Sequence, residues 1–314
     1  MGRQTSAQLS WKDVMNSITL RDPNALVSTS WLEDHLGDPG LRIFDCTTRL
    51  VADEAGKRPY RATPCLHEYE VGHIPGAGYF DLQRDFSRQD SPYGMTLADS
   101  AHIAAAFAKS GIDDSSRVIL YCRRGVSWAA RFWWMLKWLG FDNASILDGG
   151  HEKWEVEKRA LSASPCKYPA GTLHIQPRPE LFVGKAEVLS AINDPSMCTI
   201  SALGADLHNG KVTAFGRTGR IPRSVNVPQK ELLDPETGLF KSPEEISRYF
   251  MEAQTSTSRG FITYCGSGIF AAVDAFWLYQ LGYDNVAVYD NSMSEWGADP
   301  TLPMECDLET INGS

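Results

Sequence analysis

The chain has 314 residues, of which 43% are hydrophobic, and 39 acidic against 30 basic residues give a net charge of −9. This length and apolar content suffice for two domains with their own cores. The acidic balance argues against a nucleic-acid binder, which usually presents a basic face. The richest apolar run, ARFWWMLKWLGF, is interrupted by Arg131 and Lys137, so we predict no membrane span.

The first 25 residues contain no apolar segment of the kind that forms a secretory signal. Basic residues are sparse there, so we expect a cytoplasmic protein and leave a mitochondrial location open. The letters MGRQTS match the myristoylation pattern at Gly2, but so short a match leaves lipidation open. The seven cysteines include no CxxC pair, which predicts free thiols in a reducing compartment and no metal site.

The first predicted helix lies in ALVSTSWLEDHL, residues 25–36, where Ser28 or Ser30 is a candidate N-cap. Further along, residues 117–154 and 260–296 repeat each other. Each copy runs from an apolar strand through a cysteine and a glycine-containing loop to an amphipathic helix, a second apolar strand and a tryptophan. A period this long indicates a duplicated domain rather than an array of short repeats.

Strands that alternate with helical segments predict an α/β fold, in which each domain has a mainly parallel sheet with helices on both faces. Between the two copies lies a segment of little periodicity with four prolines from Pro165 to Pro179, as is typical of a linker. We therefore predict an N-terminal domain at 25–160, a proline-rich linker at 161–180 and a C-terminal domain at 181–306.

Both copies place a cysteine, Cys122 or Cys265, between a strand and a helix. The backbone amides of such a loop converge on an anion, and the positive helix terminus lowers a thiol pKa. Gly266 and Gly268 allow positive φ and keep side chains away from a bound group. The alternative is that each cysteine is a small buried apolar residue. Because the arrangement occurs twice, we favour a site that holds a sulfur anion.

Several motifs that occur in order resemble those of the tandem-domain rhodaneses: EYEVGHIPGA, VILYCRRGVSWAAR, LDGGHEKW, YCGSGIFAA and VYDNSMSEW. This family comprises the thiosulfate and 3-mercaptopyruvate sulfurtransferases, and the resemblance covers about residues 25–305. It implies two rhodanese-like domains and transfer of a sulfane sulfur through a cysteine persulfide. The implied partners are a small sulfur donor and, as acceptor, a thiol, cyanide or a protein such as a thioredoxin-like one. No metal or organic cofactor is implied.

The resemblance implies that Cys265 is the catalytic cysteine. The neutral loop after it is similar to that of the mercaptopyruvate branch and is implied to bind substrate through Gly266, Ser267 and Gly268. A related fold serves phosphatases, which need an arginine six residues after the cysteine. Ala271 and Trp128 occupy those positions here, which argues against a phosphatase.

The resemblance also implies substrate contacts outside this loop. His73 and Tyr93 are the expected contributions of the N-terminal domain, and a purely structural role is the alternative for His73. The family's carboxylate-binding arginines are missing from the second domain. We expect Arg217 and Arg220 to replace them, since arginine clamps a carboxylate well.

Cys122 is the alternative active thiol. Its loop, CRRGVS, resembles the basic loop of the thiosulfate branch, so Arg123 and Arg124 are implied to bind substrate there; a solvated basic dipeptide is the alternative. Two other functions stay open at this point: a persulfide carrier or scaffold with little turnover of small molecules, and an anion-binding or arsenate-reducing relative of the same fold.

Overall fold

The computed structural model describes residues 18–53, 60–253 and 258–307. Gly2 and residues 1–17 of the N-terminal segment considered for a targeting signal lie outside these ranges. Over the described residues, no helix is both long and apolar enough to cross a bilayer. Ser28 accepts a hydrogen bond from the Trp31 amide at 3.1 Å and caps the first helix, which confirms one of the two predicted caps.

The described part of the first domain contains seven strands. In chain order they are β1 Leu26–Val27, β2 Leu41–Asp45, β3 Thr48–Ala52, β4 Tyr60–Pro64, β5 Ala77–Tyr79, β6 Arg117–Tyr121 and β7 Ala144–Leu147. Strands β1-β7-β6-β2-β5 form a parallel sheet in that order, and β3 and β4 form an antiparallel hairpin beside it. The helices are α1 Thr29–His35, α2 Leu66–Val71, α3 Leu82–Asp85, α4 Ser100–Lys109, α5 Ser127–Trp138 and α6 Gly150–Val156.

The second domain repeats this sheet. Its strands are β8 Phe182–Val183, β9 Met197–Ser201, β10 Val225–Asn226, β11 Gly260–Tyr264 and β12 Asn285–Tyr289, and they pair in the parallel order β8-β12-β11-β9-β10. The helices are α7 Lys185–Ala191, α8 Ala205–His208, α9 Pro243–Glu252, α10 Ala271–Gln280 and α11 Ser292–Trp296. Each strand of the second sheet matches the first sheet in position, so the predicted duplicated α/β fold is confirmed. Residues 161–178 contain no regular helix or strand, as a linker would.

Helices α5 and α10 pack against each other across the domain interface. The ring of Trp133 meets the edge of Phe276 with centroids 4.9 Å apart, and Lys137 donates to the Tyr279 hydroxyl at 2.8 Å. We predicted amphipathic helices here, but every residue of α5 from Ser127 to Lys137 is buried. The reason is that α5 has its own sheet on one side and the other domain on the other, so it has no face left for water.

A buried ion pair joins the two domains. The guanidinium of Arg131, on α5, is 1% exposed and pairs with Asp290, which follows β12. Arg131 also donates to the carbonyls of Met95 and Gly268, each at 3.4 Å. Buried charges need partners of this kind, because an isolated ion loses its hydration without compensation.

Asp274, on α10, is buried without such a partner. Both carboxylate oxygens lack a hydrogen bond to any described residue, and burial raises the pKa of Asp274 well above its ordinary value. The folded chain therefore holds a proton that the unfolded chain releases. The free energy of unfolding is therefore highest below the ordinary pKa of aspartate, where both states hold this proton. It falls as the pH rises from that value through the folded-state pKa.

Replacing Asp274 by leucine should therefore stabilise the protein. We expect Asp274→Leu to raise the free energy of unfolding by about 1–3 kcal/mol, because it removes a buried polar group that has no partner. The gain should be larger at pH 8 than at pH 5, as measured by calorimetric melting. Asp274→Asn is the control: it cannot ionise, so it should also lose the pH dependence while gaining less stability. A leucine variant that melts earlier than the wild type would contradict this account.

Candidate functional site

Cys265 lies directly after β11, and its loop is held by a serine of the next strand–helix connection. The Ser292 hydroxyl accepts from the amides of Cys265 at 3.0 Å and Gly268 at 3.1 Å. Gly268 adopts a φ of +70°, a conformation that costs glycine little. The loop therefore follows the predicted path from strand to helix, with the Cys265 side chain 2% exposed.

A row of hydroxyl groups lies beside this cysteine. The Ser267 hydroxyl is 2.9 Å from that of Tyr60 and 3.1 Å from that of Ser294. Ser294 belongs to α11 of the same domain, whereas Tyr60 comes from β4 of the other domain. The loop thus presents neutral hydrogen-bonding groups rather than cations, and both domains contribute to them.

A small cavity of about 30 Å³ opens next to this row. Tyr93, Arg61 and Met95 of the first domain line it together with Ser294 of the second. Of the two residues expected from the first domain, the structure therefore places Tyr93 at the shared cleft. Burial, together with the negative charge of Glu295, raises the pKa of Tyr93, so the phenol stays a hydrogen-bond donor.

His73 is placed differently. Its ring is buried and stacked on Tyr69, with centroids 3.9 Å apart. One ring nitrogen lies 2.7 Å from the Tyr69 carbonyl and the other 3.1 Å from the Ser164 carbonyl. Both nitrogens are occupied by backbone, which supports the alternative of a structural histidine that ties the linker to the first domain.

Arg217 and Arg220 are also engaged in the structure of their own domain. Arg217 donates to four backbone carbonyls between residues 296 and 302. Arg220 pairs with Glu305 and with Asp307. Since arginine has five donors, four bonds leave the Arg217 guanidinium little capacity for a carboxylate. The geometry therefore gives no support to the predicted substrate contacts, and both arginines anchor the segment that follows α11.

The Cys122 loop has a different chemical character. The Cys122 side chain is 1% exposed, and its thiol donates to the Gly125 carbonyl at 3.1 Å. Burial raises the pKa of this thiol to about 12, although the amides of Trp128 and Ala129 act in the opposite direction. The thiolate is the reactive form of cysteine. The Cys122 thiol is therefore protonated at neutral pH.

The two arginines of that loop are engaged in contacts of their own. Arg124 forms an ion pair with Glu68 at 2.6 Å, and Glu68 also pairs with Arg49. Arg123 donates to the Gly72 carbonyl and lines a separate surface groove of about 230 Å³. We predicted that Arg123 and Arg124 bind an anion at Cys122. In the structure the charge of Arg124 is compensated by Glu68, and Arg123 donates to a backbone carbonyl.

Sequence reasoning missed Tyr60, Arg61 and Ser294. Ser294 lies within a motif that we had singled out, VYDNSMSEW, so its position in the second copy was a usable signal. Tyr60 and Arg61 lie in a stretch between the predicted elements, where neither periodicity nor a motif marks them. Hairpin β3–β4 places both of them in the lining of the cavity beside Ser294 of the other domain.

Comparison with known proteins finds matches over most of the chain. A family model described as a rhodanese-like domain matches residues 28–157 and 211–299. The chain is 32% identical over 282 residues to the 3-mercaptopyruvate sulfurtransferase of Escherichia coli K12, covering 89% of this chain and 97% of that protein. It is 31% identical over 284 residues to the thiosulfate sulfurtransferase of Rattus norvegicus, covering 87% and 91%.

A solved structure shows the same architecture over nearly the whole chain. The crystal structure of SseA from Escherichia coli, described as a 3-mercaptopyruvate sulfotransferase with the rhodanese fold, is similar with a TM-score of 0.73. It is 31% identical and covers 86% of this chain and 98% of that one. The similarity therefore includes both domains.

The packing around Gly266 leads to a prediction. A Cβ atom at this position would overlap the Tyr60 hydroxyl and lie 2.7 Å from the Phe215 ring. We expect Gly266→Ala to displace Tyr60, to cost about 1–3 kcal/mol of stability through overpacking, and to speed alkylation of Cys265 by iodoacetamide, as followed by peptide mass mapping. Gly204→Ala is the matched control, because nothing lies within 4 Å of its added methyl. Equal behaviour of the two variants would refute the packing argument.

Proposed function

The chain belongs to the rhodanese family and is a sulfurtransferase, and on that premise we propose that it moves the sulfur of 3-mercaptopyruvate onto Cys265 and then to a thiol or protein acceptor. The observation that carries this proposal is the neutral loop of Cys265, with its row of hydroxyl groups at the interface of the two domains. A cytoplasmic location, where thiols stay reduced, is part of the same proposal.

The proposed reaction proceeds in two displacements. The Cys265 thiolate attacks the sulfur of 3-mercaptopyruvate, the carbon–sulfur bond breaks, and its electron pair stays on the carbon as the enolate of pyruvate, which takes up a proton. An acceptor thiolate then attacks the outer sulfur of the persulfide and releases the Cys265 thiolate. Splitting a transfer through a covalent intermediate is the general advantage of nucleophilic catalysis.

The hydroxyl groups suit the first displacement. Negative charge develops on the carbonyl oxygen of the leaving pyruvate enolate, and hydrogen-bond donors that are already in place stabilise such charge. Ser267 and Ser294 lie in one hydrogen-bonded row next to Cys265. Thiosulfate, by contrast, is a dianion and gains most from cations beside the cysteine, which this loop lacks.

Arg61 is our candidate for binding the donor carboxylate. It lines the cavity beside Ser294. It is exposed, and it forms no ion pair with any residue in the described ranges. An arginine with free donors can bind a carboxylate through two parallel hydrogen bonds. This replaces the assignment of that role to Arg217 and Arg220.

Persulfide formation tests the assignment of the cysteine. After incubation with 3-mercaptopyruvate, intact-protein mass spectrometry should show a gain of one sulfur atom in the wild type and in Cys122→Ser, but none in Cys265→Ser. The reason is that the Cys122 thiol stays protonated at neutral pH. A sulfur gain that disappears in Cys122→Ser instead would transfer the role to the first domain. Sulfur passed to a protein acceptor but never to a small thiol would favour the carrier function.

Kinetics test the role of Arg61. We expect Arg61→Met to raise the KM for 3-mercaptopyruvate about tenfold, the loss of one charge-assisted contact, with kcat little changed. Arg248→Met is the matched control, since Arg248 is an exposed arginine on α9. An unchanged KM in Arg61→Met would exclude Arg61 as the carboxylate partner.

A further inference from the structure

Tyr60 belongs to the first domain but lies against the cysteine loop of the second. It begins strand β4 of the hairpin, and its hydroxyl is 2.9 Å from the Ser267 hydroxyl, 207 residues further along the chain. The phenol occupies the space that a side chain at position 266 would need. A glycine at this position therefore admits the tyrosine of the other domain.

The Tyr60 ring is held in this position by Phe215. The two rings meet edge to face with centroids 5.9 Å apart, and Phe215 also borders Gly266. Aromatic pairs of this geometry are favourable beyond their buried area. Together the two rings cover the loop from the side of the domain interface, and the Cys265 side chain beneath is 2% exposed.

The electrostatic environment keeps the phenol protonated. Burial is the main cause of a raised Tyr60 pKa, and the electrostatic effect of the nearby Cys265 acts in the same direction. On geometry alone either hydroxyl of this pair could be the donor; since a phenol is a stronger donor than an aliphatic hydroxyl, we assign Tyr60 as the donor to Ser267. The Ser267 proton is then free to point at another acceptor, since a hydroxyl has one donor and two acceptor sites.

We propose that Tyr60 is a positioning residue of the sulfur-transfer site, in two ways. Its hydroxyl orients that of Ser267 toward the charge that develops during the first displacement, and its ring, with Phe215, covers the Cys265 sulfur. The proposal rests on the proposed function. It gives the first domain a direct part in chemistry performed by the second.

Two substitutions separate the roles of the hydroxyl and the ring. Tyr60→Phe keeps the ring and removes the donor, so we expect single-turnover persulfide formation from 3-mercaptopyruvate to slow about tenfold at saturation, the value of one buried hydrogen bond. The half-saturating donor concentration should change by less than about twofold, because Tyr60 orients Ser267 and binds no donor group in the ground state. Tyr60→Ala should show the same loss and, in addition, faster alkylation of Cys265 by iodoacetamide.

Tyr249→Phe is the matched control. Tyr249, on α9, accepts a hydrogen bond from Lys241 at 2.7 Å within its own domain, and its loss should leave both rates unchanged. Melting temperatures establish that each variant is folded. If Tyr60→Ala does not fold, Tyr60→Phe still decides the role of the hydroxyl, and Tyr60→Leu, which lacks the aromatic ring, takes its place in the alkylation assay.

The outcomes separate this proposal from the proposed function. Wild-type persulfidation kinetics in Tyr60→Phe would overturn the role of the hydroxyl, and unchanged Cys265 alkylation in Tyr60→Ala would overturn the role of the ring. A wild type that gains no sulfur from 3-mercaptopyruvate would refute the proposed function and, with it, the role of the hydroxyl. The alkylation assay needs no sulfur donor, so it decides the covering role in either case.

Discussion

The pairing of Arg131 with Asp290 is the interaction on which the geometry of the cleft depends. The arginine comes from one domain and the aspartate from the other, and the guanidinium is almost fully buried. Arg131 also contacts the carbonyl of Gly268, inside the Cys265 loop, while Asp290 accepts from the Leu97 amide of the first domain at 2.8 Å. Removing one partner of a buried pair leaves an uncompensated charge and typically costs about 3–5 kcal/mol. The position of the cysteine loop is therefore coupled to the attachment of the two domains.

The two copies share the aspartate of this ion pair but differ at the position of the arginine. Asp148 occupies in the first copy the place of Asp290 in the second, and it accepts from the amide of Phe240 across the interface at 3.0 Å. The two aspartates thus form reciprocal contacts. The helix position of Arg131, nine residues after the cysteine, is held in the second copy by Asp274, whose carboxylate oxygens have no hydrogen-bond partner among the described residues. The first copy therefore has a cation that reaches the other domain, and the second has in its place a carboxyl group whose pKa is raised by burial.

Much of this architecture could be predicted from the sequence, because short sequence patterns determine where the strands, helices and cysteine loops lie. Period and motif order predicted two parallel α/β domains and a cysteine at each strand–helix junction, which a search for buried strands and glycine loops detects. The contacts between domains could not be predicted in the same way. The Tyr60 hydroxyl is hydrogen-bonded to that of Ser267, 207 residues further along the chain. Arg217 donates to the carbonyls of Trp296 and Asp299, which are also distant in sequence. Such partners are determined by tertiary packing, so the role of an arginine or a tyrosine could not be inferred from its residue type and sequence neighbours alone.

The same distinction explains why two similar cysteine loops differ in chemistry. In the Cys122 loop, the thiol donates to the Gly125 carbonyl and Arg124 pairs with Glu68, both within the first domain. Ser127, at the end of this loop, donates to Gln229 of the second domain at 3.3 Å. At the position equivalent to Arg124, the second copy has Ser267, whose partners include a residue of the other domain. Ser267 thus has neutral hydroxyl partners from both domains, whereas Arg124 is held in an ion pair. This difference is the structural basis of our proposal that sulfur is transferred at the second loop, although the first one has the more basic sequence.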